Sequence, residues 1–70
     1  MPIIFAPLNK QLKIVKIITD EKTKKHLENL GLIIGANLSV ISHSGGSVIC
    51  MVKSGRLALD KNLATKLMVV

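Results

Sequence analysis

The chain is 70 residues long, 49% hydrophobic, and carries a net charge of +6. That length excludes more than one domain of ordinary size and allows a fold to hide only about 60% of the surface of its unfolded chain. The charge admits acidic partners such as nucleic acid or an anionic surface, but the ten basic residues are scattered, with only Lys24 and Lys25 adjacent.

The opening segment, Met1-Pro2-Ile3-Ile4-Phe5-Ala6-Pro7, is apolar but too short for the hydrophobic part of a signal peptide. No run approaches the ~20 apolar residues of a bilayer span. Cys50 is the single cysteine and has no disulfide partner, which fits a reducing compartment. A cytoplasmic protein is expected, without insertion into a membrane.

Leu12 to Ile18 is rich in β-branched residues and predicts the first strand. Thr19 or Asp20 supplies a helix cap, and Asp20 and Glu21 place negative charge at the positive end of the helix dipole. The helix runs to about Leu30, with Thr23, Leu27 and Leu30 on its apolar face. Gly31 ends it in the left-handed conformation, and Leu32 can fold back on it. After Leu32-Ile33-Ile34 the chain turns at Gly35.

Three strands follow. Asn37 to Ser42 puts Leu38 and Val40 on one face. The turn Ser44-Gly45-Gly46 leads into Ser47 to Lys53, where Val48, Cys50 and Val52 alternate with Ile49 and Met51. A second turn at Ser54-Gly55 leads into Arg56 to Asp60, with Leu57 and Leu59 on one side. Lys61 to Thr65 predicts one helical turn capped by Asp60, and Lys66 to Val70 a last strand. Five short strands in a chain this small must nearly close to hide their edges. The expected fold is mainly β, a small five-stranded SH3-like barrel with one α-helix between its first and second strands, forming a single domain over residues 1–70.

The segment Lys25-His26-Leu27-Glu28-Asn29-Leu30-Gly31-Leu32-Ile33-Ile34-Gly35 resembles the FeoA family, small cytosolic partners of the bacterial ferrous-iron transporter FeoB. Leu27, Leu30, Gly31, Leu32 and Gly35 fit the family pattern, with Ile34 where proline is usual. A second block, Gly55-Arg56-Leu57-Ala58-Leu59-Asp60 with Leu63-Ala64 and Leu67-Met68-Val69, resembles the family's closing strand, turn and strand. Lys10-Gln11 stands where the family usually has a glycine. The same fold ends metal-dependent repressors related to the diphtheria toxin regulator, whose DNA-binding and dimerisation domains this chain has no room for. The resemblance implies an SH3-like barrel that binds and regulates the cytosolic part of FeoB in ferrous-iron uptake, located in the cytoplasm or held at the inner membrane by that partner.

The residues themselves carry no catalytic signature. Cys50 falls at an inward strand position, and Asp20, Glu21, Glu28 and Asp60 have capping or solvated roles. No Cys-x-x-Cys or His-x-x-x-His spacing suggests a metal site, and His26 and Glu28 point apart on a helix. Phosphate-cradling glycine patterns are absent. With no Trp or Tyr, neither proline-rich peptide recognition nor base stacking is available. A non-enzymatic binding module without cofactor is expected. Its docking surface is expected at Lys24, Lys25, Leu30, Leu32 and Ile33, against the plainer assignment of the three apolar residues to one end of the barrel. Self-association is open, and the rival function is a basic barrel that holds nucleic acid by backbone electrostatics.

Overall fold

A computed structural model describes all 70 residues, Met1–Val70. After a 3-10 turn at Ile3–Phe5 come β1 (Gln11–Ile17), α1 (Glu21–Asn29), β2 (Asn37–Ser44), β3 (Ser47–Val52), β4 (Gly55–Asp60), α2 (Lys61–Ala64) and β5 (Leu67–Val69). The strands form one antiparallel sheet in the order β4-β3-β2-β1-β5. This is the mainly β, five-stranded SH3-like architecture expected, with α1 between β1 and β2.

The sheet curls because its central strands are bulged. In β1 the register slips between Ile14 and Lys16, and in β2 between Val40 and Ser42; each extra residue bends its strand and adds twist. The bend lets β1 serve two partners, β2 through Gln11, Lys13 and Leu12 and β5 through Ile14, Lys16 and Ile17. β4 and β5 do not pair. The seam between them is filled by α2 and the 3-10 turn, which pack on each other and on β4 and β5 respectively.

Alternation decides the core. Leu12 and Ile14 of β1, Leu38 and Val40 of β2, Val48 and Cys50 of β3, Leu59 of β4, and Leu67 and Val69 of β5 all point inward and are buried. Leu27 closes one side from α1, fully buried, which contributes about 1.5–3 kcal/mol relative to an exposed side chain.

The hairpins differ from expectation by a residue or two. β2 runs on to Ser44, which pairs with Ser47, so the turn is only Gly45-Gly46. β3 ends at Val52, which pairs with Gly55, so Lys53-Ser54 is the second turn and Gly55, at φ 131°, belongs to β4. Two-residue turns match the twist of the flanking strands, and the ladder extends until that geometry is reached.

The first ten residues have a structural role that periodicity does not reveal. Ile3 is fully buried and Ala6 nearly so, Pro2 bridges Met68, and Leu8 bridges Val40. Asn9 donates its N–H to the Val40 carbonyl at 2.8 Å from a positive φ of 59°.

Candidate functional site

The loop after α1 is built by two tight turns that sort its apolar residues between core and surface. Asp20 caps the helix start by accepting from the Thr23 N–H. At the other end Gly31 takes a φ of +92°, the Gly31 N–H donates to Glu28 O at 3.0 Å, and the Leu32 N–H donates to Leu27 O at 2.9 Å. This paired arrangement is the Schellman motif, and it swings Leu32 back beneath the helix.

Leu32 is therefore fully buried. The expectation that it offers docking surface is corrected: the helix stop makes it a core residue.

Ile33 and Ile34 then have nowhere to go but outward. A turn closed by the Ala36 N–H on Ile33 O at 3.0 Å, with Gly35 at φ +95°, leaves them 47% and 56% exposed. The loop is strapped to β1, since the Gly35 N–H reaches Ile14 O at 2.7 Å and the Ile14 N–H reaches Ala36 O at 2.9 Å. Ile33 is thus exposed on a fixed support.

It forms one side of an open groove of about 870 Å³. Gly31, Ile33 and Ala36 line the loop side, Leu38 and Ser39 the β2 floor, and Met51, Val52, Lys53 and Ser54 the far wall from the β3–β4 hairpin. Asn9, Gln11 and Asn37 close the remaining rim, and Lys53 is the one charged residue among the lining groups. Met51 is 38% exposed and Val52 half-buried, so apolar surface reaches solvent on both walls. Such a cleft suits an apolar segment with a polar or acidic flank.

Of the residues expected to bind a partner, only Ile33 lines this groove. Lys24, half-buried, and Lys25, exposed, stay on α1, and Leu30 is half-buried at its C-cap. Met51 and Val52 were not among the expected site residues. Alternation about Cys50 does put Met51 on the outward face, but nothing in the local sequence sets it in one groove with Ile33.

Groups with chemical potential lie elsewhere. Cys50 is fully buried among core residues, and burial pushes its thiol up to about 11, so at neutral pH it stays protonated as a small core side chain. No three His, Cys, Asp or Glu side chains come together in a way that could hold a metal ion. No helix is long and apolar enough to cross a membrane.

Known proteins share this frame. The family model described as FeoA domain matches residues 1–70. "Putative Fe(2+) transport protein A" of Methanocaldococcus jannaschii is 32% identical over 68 residues, covering 97% of this chain and 83% of that protein. A crystal structure titled as an iron uptake regulatory protein (FeoA) superposes with a TM-score of 0.85 at 29% identity, over 99% of this chain and 92% of the other. The solution structure of FeoA protein from Chlorobium tepidum gives a TM-score of 0.89 over 99% of this chain and 68% of that one; at 20% identity it speaks for the fold alone. Whole-chain agreement with the family model, joined to the Leu27–Gly35 and Gly55–Val69 blocks, shows that this chain belongs to the FeoA family.

Proposed function

We propose that the chain is a non-enzymatic accessory protein of ferrous-iron uptake that docks on the cytosolic part of a FeoB-type membrane transporter and regulates it. The groove between the loop after α1 and the β3–β4 hairpin takes an apolar segment of that partner. The observation that carries this reading is that Ile33 and Met51, both exposed, line one groove, on a chain whose family relative is named for Fe(2+) transport. Apolar residues held exposed on rigid supports lose little entropy on binding and make good anchors. Lys24, Lys25 and Leu30 form a second, helix-side candidate contact.

The test is binding of the purified chain to the transporter in detergent, with and without a GTP analogue. Ile33→Gln and Met51→Gln are each expected to weaken saturable binding about tenfold, the loss of one ordinary anchor, while both variants remain folded. Weakening by Leu30→Gln alone would move the docking surface to the helix. Absence of transporter binding together with salt-sensitive binding to duplex DNA would favour the nucleic-acid alternative instead.

A further inference from the structure

The β1–β5 ladder has a second exposed face, which borders the groove where Lys13 pairs with Asn37. Its inward pairs are Ile14 with Val69 and Ile17 with Leu67. Its outward pairs follow from the same register. Lys16 stands opposite Met68, Lys13 exchanges two backbone hydrogen bonds of 3.0 Å with Val70, and the Ile18 N–H donates to Lys66 O at 2.9 Å. Each outward pair therefore sets one lysine beside one apolar side chain.

The bulge adds to this pattern. Between Ile14 and Lys16 the strand carries an extra residue, and Val15 and Lys16 are both exposed as a result. Val15 is 43%, Ile18 49% and Val70 67% exposed. None of the four side-chain carboxylates belongs to the ladder: Asp20 and Glu21 begin α1, Glu28 lies within it, and Asp60 caps α2. The face thus holds three lysines and no acidic side chain.

We infer that this face rests on the surface of an anionic lipid bilayer. A bilayer interface accepts both halves of the pattern: the apolar tips enter the boundary between headgroups and acyl chains, and the lysine stems extend to bring their ammonium groups to the lipid phosphates. Nucleic acid would use the lysines but leave the exposed valines and isoleucine against phosphate, and the face holds no aromatic side chain on which a base could stack. The contact lies on the membrane and does not cross it, since no helix is long and apolar enough to span.

The experiment is flotation of the full chain with vesicles of phosphatidylcholine alone and of phosphatidylcholine mixed with phosphatidylglycerol, at low and high ionic strength. Binding is expected only to the anionic vesicles and is reduced by salt. Removing a lysine near the surface weakens partitioning about fivefold, so Lys13→Gln with Lys16→Gln is expected to weaken it about 25-fold. Val15→Ser with Ile18→Ser is expected to weaken it several-fold, and both double variants change only exposed side chains, so thermal melts should show them folded. The control, Lys24→Gln with Lys25→Gln, makes the same charge change on α1 and is expected to cost less than about threefold. The inference fails if anionic vesicles do not carry the protein at low salt. It fails equally if the α1 control loses as much as the β1 pair, if the serine variant binds undiminished, or if duplex DNA binds where vesicles do not. Transporter binding by the groove is read separately, by Ile33→Gln and Met51→Gln, neither of which lies on the β1–β5 face.

Discussion

Asp20 shows how much one exposed carboxylate settles. Hydrogen bonding from Thr23, reinforced by the Thr19 hydroxyl, holds its carboxyl below the ordinary carboxylate range. A pKa lower in the folded chain than in the unfolded one means that ionised Asp20 favours folding. Its contribution is complete above the unfolded pKa and is lost as pH falls through the lower folded value. Asn caps a helix nearly as well but has no charge to lose. Asp20→Asn is therefore expected to melt below the parent chain at neutral pH, with the gap closing as pH falls through the parent carboxyl's lowered pKa; melts across the acid range read the difference. From the sequence alone Thr19 and Asp20 were equal candidates for the cap. The structure separates them, because Thr19 donates to the Asp20 carboxylate and so supports the cap without being it. Cys50, by contrast, was legible as a core residue from alternation in β3, and its complete burial follows.

Among the elements, the turn Ile33–Ala36 explains the chain's one departure from its family's loop pattern. The Ala36 to Ile33 hydrogen bond and the positive φ confined to Gly35 define a type II turn with Ile34 at its second position. Proline is favoured there because its ring pre-sets the required φ, and no backbone hydrogen bond uses the Ile34 N–H. Ile34→Pro is expected to stabilise the chain by about 0.4–1 kcal/mol, mainly by restricting the unfolded state, as a higher denaturant midpoint with unchanged slope would show. The helix with its Gly31 stop and all five strands were readable from periodicity and turn residues. The hairpin boundaries were not, because Ser and Gly mark a turn's neighbourhood while the strand register chooses which two residues form it. Leu32 and Ile33 make the same point for the candidate site. They are consecutive apolar residues of similar size, and only the Schellman geometry sends one inward and the other out.

At the scale of the whole molecule, the sheet is completed by segments that carry no strand signal. The 3-10 turn puts Ile3 into the core with no exposed surface, and the Met1 carbonyl accepts the Val69 N–H at 2.8 Å, so the N-terminal segment covers the outer edge of β5. Ile3→Ala is expected to cost about 2–4 kcal/mol in urea denaturation, comparable to losing a residue of the sheet's own core. An exposed segment would cost almost nothing, which is what a reading of the N-terminus as a mere apolar tail predicts. By itself, the sequence determined the order of helices and strands, the inward faces of β2, β3 and β4, the SH3-like class and the family resemblance, because these rest on local periodicity, turn chemistry and short blocks of side chains. Only the tertiary structure decided that Ile33 and Met51 line one groove, and that Lys13, Lys16 and Lys66 share a face with Val15, Ile18 and Val70. Those placements depend on the register of strands distant in sequence, and a one-residue slip in any ladder would send each side chain to the opposite face.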